Sequence, residues 1–336
     1  MRLLFPGIVL LATVSLLPAA KTLEVYCIDV EGGQATLFVA PGGDSLLVDT
    51  GWSGHNRRDA NRILAAAKSA GVKKIDYLVT THYHADHVGG VPQLNEKIPI
   101  RNFVDHGPSV ESGKDADVLF NAYKAFRDKG NHIQAKPGDT IPVKGLDVKV
   151  LSSNGDLLAT PLAGAGQPSP ECAAFQKQDA DSTENAQSLG ILVTFGDFRM
   201  LDLGDLTWNK EYDLVCPNNK IGPADVYLMS HHGLDSSSSP QLVHALAPRV
   251  AIMNNGARKG GSPETWQLIH DSPGLLDLWQ LHFAIAGGKE HNSSDTLIAN
   301  VDEICEGKWL KLTARSDGSF SVTNSRNKYE KSYPKR

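Results

Sequence analysis

Along the first half of the chain, short apolar runs alternate with glycine-rich breaks. Residues 23–29, 35–39 and 45–49 are three such runs, separated by Gly32-Gly33 and Pro41-Gly42-Gly43. That punctuation predicts three consecutive strands joined by tight turns. Residues 61–70 are rich in Ala, Leu and Lys and stop at Gly71, which predicts a helix with a glycine at its end. Residues 75–80 read as a strand, 115–129 as a helix, and 140–151 as a strand pair turning at Gly145. Residues 155–186 are polar and poorly patterned, and so long a loop in a compact domain is commonly functional. Strand signals return at 188–195, 198–203, 226–230, 250–254 and 283–286, with helical stretches at 240–246 and 263–270. Residues 309–313 and 319–323, around Asp317-Gly318, read as a closing hairpin. Two similar halves of strands and helices predict layered sheets with helices outside.

Composition narrows the class. With 336 residues, 41% hydrophobic and 21% charged, the chain can bury a large core. No linker, charge block or repeat divides it, so residues 21–336 read as one domain with the hairpin as a C-terminal extension. The first twenty residues stand apart: Arg2, an apolar stretch over 3–17, then Pro18-Ala19-Ala20. This pattern predicts a signal peptide, hence a secreted or periplasmic chain with no membrane span after cleavage. A net charge of −5 argues against strong binding of duplex nucleic acid. Four cysteines allow three full pairings. Cys172 and Cys216, in polar Pro-containing loops, are the expected pair, and Cys27, inside an apolar strand, is the expected buried thiol.

The chemistry concentrates at strand ends. Thr81-His82-Tyr83-His84-Ala85-Asp86-His87 packs four potential metal ligands into the six residues 82–87, directly after a predicted strand. Imidazole and carboxylate are the usual ligands of zinc and related divalent ions, and crowding them gains nothing in packing. Two more strands end likewise, one delivering Asp205 after Gly204 and one delivering His231-His232-Gly233.

His82-x-His84-x-Asp86-His87, with Asp49 upstream and Asp205 and His231-His232 downstream, resembles the metallo-β-lactamase superfamily. Thr81 to Gly90 and Ser230 to Gly233 resemble its ComEC-like and choline-phosphate esterase branch. The resemblance implies a four-layer αββα sandwich with two divalent metals at the sheet edge, zinc foremost and Mn2+ or Fe2+ as alternatives. It implies that His82 and His84 hold one metal, that Asp86, His87 and His232 (in preference to His231) hold the other, and that Asp205 bridges them. Asp49 would orient ligands through hydrogen bonds.

Two departures stand out. No histidine lies between His132 and His231, where most hydrolases of the superfamily supply another ligand. The equivalent region holds Asn185 and Ser188, as in ComEC-like members, and leaves one metal more open to water or substrate. Ser262-Pro263 stands where that branch tends to carry His-Pro. Among the other histidines, His106 is a candidate to line the cleft, with His55 and His291 behind it; His132, His244, His270 and His282 read as structural or solvated.

Paired divalent cations generate hydroxide at neutral pH and polarise a phosphoryl or carbonyl oxygen, and Asp86 is placed to orient that hydroxide or take its proton. The expectation is therefore an exported hydrolase of phosphodiesters, either a nucleic acid strand or a phosphorylated envelope component. Lactone or β-lactam hydrolysis is the alternative enzyme reading. A metal-stabilised binding protein related to DNA uptake is the alternative from another class.

Overall fold

A computed structural model describes residues 21–336; the expected signal segment lies outside the described residues. Two nine-stranded sheets face each other. The first runs in the order Glu330–Tyr333, Phe320–Asn324, Trp309–Ala314, Leu23–Ile28, Thr36–Val39, Ser45–Val48, Ile75–Val79, Ile100–Asp105 and Asn131–Gln134. The second runs Ile298–Asn300, Asp277–His282, Val250–Met253, Val226–Leu228, Phe198–Asp202, Gly190–Phe195, Asp147–Ser153 and Thr140–Ile141, with Asp156–Leu157 paired beside it.

Strand periodicity explains the layering. In Leu23–Ile28, Leu23, Val25 and Cys27 point to the cluster between the sheets, while Tyr26 and Ile28 point to a second cluster under helices. Val226 and Leu228 likewise face inward, and Tyr227 faces out to a third cluster. Strands buried on both faces lose the apolar–polar alternation of a half-solvated sheet, which is why they read as continuous apolar runs. Arg58–Ser69 covers the first sheet with Ala60, Ile63, Ala66 and Ala67, spaced for one helical face. Trp208–Val215 and Pro240–Leu246 cover the second with Leu214, Val215, Leu242 and Leu246. Three apolar clusters between four layers give the α/β architecture, an αββα sandwich.

The hairpin at the tail is built into the first sheet: Trp309–Ala314 pairs antiparallel with Leu23–Ile28, and Phe320, Val322 and Tyr333 join the inter-sheet cluster. One expectation needs correction. The strand expected at 283–286 lies at Asp277–His282 instead. Its buried Gln280 and His282 disguise it, since Gln280 is satisfied by bonds to Asn292 and Ser293 rather than by solvent.

In each sheet one run of strands is parallel, Ser45–Val48 to Asn131–Gln134 in the first and Phe198–Asp202 to Ile298–Asn300 in the second. Their C-terminal ends carry Asp49, Thr81, Asp205 and the 230–233 turn to one edge of the sandwich. Ligand sites commonly form outside the carboxyl ends of parallel strands. Cys172 and Cys216 are bonded, and Cys27 is a buried free thiol.

Candidate metal centre

Asp86, His87, Asp205 and His232 converge from three chain segments, with one ligand atom of each within 4.8 Å of the others and all four buried. Local backbone geometry delivers them. Asp49, His231 and His232 adopt left-handed conformations, with φ of 59°, 52° and 58°. Such residues persist only where surrounding structure holds them, at about 1–3 kcal/mol each. Gly204 has φ 57°, and a Cβ there would stand 2.8 Å from Thr81 Cβ, so only glycine lets the Asp205 turn approach the His82 turn. A Cβ on Gly260 would meet the His232 carbonyl at 2.3 Å.

His87 shows how the donors are aimed. Its Nδ1 lies 2.7 Å from Asp49 Oδ2, so the ring donates there and turns the Nε2 lone pair inward. That Nε2 stands 3.2 Å from Asp205 Oδ2, 3.3 Å from Asp86 Oδ2 and 3.2 Å from His232 Nε2. His232 Nε2 is 3.1 Å from Asp86 Oδ2 and 3.5 Å from Asp205 Oδ1. Lone pairs facing one another repel unless a cation lies between them. Donors about 2.0–2.1 Å from a tetrahedral zinc stand about 3.3–3.4 Å apart, which these separations match. Asp205 Oδ1 also lacks a hydrogen-bond partner. The donor set therefore fits a divalent cation.

Without a cation the groups share protons instead. Burial opposes charge on His87, but Asp205, Asp86 and Asp49 outweigh it and hold its pKa well above the usual value. Burial likewise opposes ionisation of Asp205, yet His87, His232 and His231 keep that carboxyl well below its usual range. His82, buried and next to His87, is pushed well down.

The other expected ligands sit beside this group. His82 Nε2 is 3.8 Å from Asp205 Oδ2 and 3.1 Å from His84 Nδ1, while His84 Nε2 is held by Glu111 at 3.1 Å. His231 Nε2 is 3.4 Å from Asp205 Oδ2, and its Nδ1 is fixed by Ser236 Oγ at 2.7 Å. Asp49 accepts both the backbone N–H and the hydroxyl of Thr81, at 2.8 and 2.7 Å. Ser188 Oγ accepts the Asp205 N–H at 3.3 Å. Asn185 leaves its Oδ1 buried and unbonded.

His106 does not line a cleft. It is fully buried, with Nε2 2.9 Å from Glu184 Oε2, and Tyr83 packs on its ring. His291 lies against Trp266 and His55 on an exposed turn, neither among the converging ligands.

Three residues were not expected from sequence. Glu184, in the unpatterned loop, is buried and accepts from Tyr83 N, Ser109 Oγ and Val110 N, tying that loop to the histidine turn. Glu211 is buried and accepts from Ser238 N and Ser239 N, bracing the segment after His232. Burial pushes its carboxyl up to about 7, against those bonds. Lys259 contacts Asp86 Oδ2 from the rim, its ammonium 5.1 Å from the Trp52 ring centre. A Glu next to a helix start or a Lys in a Gly-rich loop carries no distinctive sequence signal.

Residues 29–166 match the family model described as Metallo-beta-lactamase superfamily. With that match, the two-sheet sandwich and the His/Asp edge cluster, the chain is similar to the metallo-β-lactamase superfamily. Over 275 residues it is 27% identical to ComE operon protein 3 of Bacillus subtilis (strain 168), covering 77% of this chain and 31% of that protein. Over 100 residues it is 33% identical to a hydroxyacylglutathione hydrolase of Rhodopseudomonas palustris (strain BisB5), covering 30% of this chain and 32% of that protein. It spans about a third of the length of these relatives. Among solved structures, the metallo-beta-lactamase fold protein YhfI from Bacillus subtilis superimposes with a TM-score of 0.47 at 12% identity, over 76% of this chain and 96% of that one.

Proposed function

We propose that the chain is an exported, binuclear metal-dependent hydrolase of phosphodiesters. The observation that carries the anionic substrate is Lys259, a cation at the rim of the metal centre and in contact with Asp86. Its Nζ would pair with a phosphoryl oxygen and hold a proton near the leaving oxygen. Bound divalent cations would polarise the phosphoryl group and lower the pKa of the attacking water.

Asp86, His87 and His232 would hold one cation, zinc by donor type, and His82 and His84 the other, with Asp205 within reach of both. His231, its Nε2 turned toward Asp205, supplies the imidazole that no residue between His132 and His231 provides. Asp86 acts as a ligand and orienting acceptor. Burial alone would raise its pKa, but His87 and His232 hold it well below the usual range.

The resemblance of the His82–His87 and His231-His232 motifs to the ComEC-like, DNA-uptake branch favours a polymeric phosphodiester such as a nucleic acid strand. The Cys172–Cys216 bond supports an oxidising, exported setting. The likeness to a hydroxyacylglutathione hydrolase favours a second reading, hydrolysis of an acyl thioester. Zinc-loaded protein is tested against bis(p-nitrophenyl) phosphate, nitrocefin, a lactone and a hydroxyacylglutathione. Turnover confined to the phosphodiester supports the proposal; turnover confined to the acyl substrates replaces it, and metal loading without any turnover favours a binding protein.

A further inference from the structure

A second group of ligand-bearing side chains lies outside this centre. Asp29 and Glu31 follow the strand Leu23–Ile28, His282 ends Asp277–His282 of the other sheet, and Cys305 precedes Trp309–Ala314. One ligand atom of each lies within 4.8 Å of all the others. Cys305 Sγ is 3.1 Å from Asp29 Oδ2 and 3.3 Å from Glu31 Oε1, and His282 Nε2 is 3.6 Å from Glu31 Oε2. Around a tetrahedral zinc, with S about 2.3 Å and N or O about 2.0 Å away, donor separations come to about 3.3–3.5 Å. The group already has nearly that shape.

His282 is the independent sign of a ligand. It is fully buried, and neither ring nitrogen has a hydrogen-bond partner. Burying an imidazole unpartnered is unfavourable, and natural folds rarely tolerate it without a reason. Here the ring is aimed at two carboxylates and a thiol. A cavity of 450 Å³ lined by Glu31, Arg62, Lys259 and Cys305 opens onto the Glu31 and Cys305 side of the group.

We propose that Asp29, Glu31, His282 and Cys305 form a second, separate cation site of the zinc class, structural in role. On binding, the Cys305 thiol releases its proton to solvent and the sulfur becomes a thiolate ligand. Arg62, 3.1 Å from both Asp29 Oδ2 and Glu31 Oε1, remains beside the site. Two carboxylates and a thiolate then balance one guanidinium and a divalent cation. The cation ties the ends of both sheets to the segment before Trp309. It also fixes the turn at Gly32, where a Cβ would meet Lys259 Cβ at 2.7 Å, so the site supports the loop that presents Lys259.

The test is Co2+ loading of the full chain. Thiolate–cobalt complexes absorb in the near ultraviolet, and the candidate metal centre has no sulfur to produce that band. The wild type is expected to show the band. Cys305→Ser is expected to lose both it and one molar equivalent of metal, while keeping its far-ultraviolet circular dichroism. His282→Ala is expected to weaken binding at this site at least ~10-fold, and Cys27→Ser to keep the band. Folded wild type without the band at saturating Co2+, or a band that survives Cys305→Ser, overturns the proposal. Because the readout is sulfur-specific and uses no turnover, it stands or falls apart from the hydrolase reading.

Discussion

Asp49 Oδ2 lies 2.7 Å from His87 Nδ1 and accepts the Thr81 hydroxyl at the same distance, so one buried carboxylate fixes the ring and the turn that present the ligands. Outer partners of this kind orient ligands and raise their basicity. Asp49→Ala is therefore expected to lower metal affinity by about 10–100-fold. Competition with a chelator measures it, and activity should return at higher metal concentration.

His231 and His232 differ in what they face. His232 Nε2 stands between Asp86, His87 and Asp205, whereas His231 Nε2 approaches Asp205 alone. Each alanine variant is expected to lose one equivalent of metal, from different cations. Metal analysis combined with a His82→Ala variant separates them: His231→Ala should add little to that loss, and His232→Ala should remove the remaining equivalent.

Lys259→Ala is expected to retain metal while kcat for the phosphodiester falls at least ~10-fold, about 1.4 kcal/mol of barrier. Lys259→Arg, which keeps the charge, should recover part of the binding term in KM. Loss of metal in Lys259→Ala would make the residue structural.

Glu211 sets a pH dependence of stability. Burial raises its carboxyl from 4.5 to about 7 in the folded chain, so the folded state holds the proton more tightly than the unfolded one. The resulting stabilisation is full below pH 4.5 and is lost as pH rises toward 7, by about 3 kcal/mol in all. Glu211→Gln should flatten that decline, measured as Tm between pH 4.5 and 7.5.

Much of this was legible in the chain because chemistry-bearing residues sit at strand tips. Thr81 to His87, Gly204-Asp205 and His231-His232 each follow a continuous apolar run, and the helices at Pro240–Leu246 and Pro263–His270 begin at their prolines as the pattern predicts. What escaped notice was polar residues satisfied by distant partners. Glu211 interrupts the apolar face of Trp208–Val215, which hid that helix. Gln280 and His282 broke the pattern of a buried strand, and His282 read as structural or solvated although it faces Asp29, Glu31 and Cys305. Lys259 reaches Asp86 across 173 residues, a pairing that local spacing does not encode.

The central claim is that three chain segments hold a pair of cations through Asp205, and metal content tests it most directly. Wild type and Asp205→Ala, both folded, are dialysed against buffered zinc and assayed for bound metal. A difference of two equivalents per chain is the predicted result; equal contents would contradict the account.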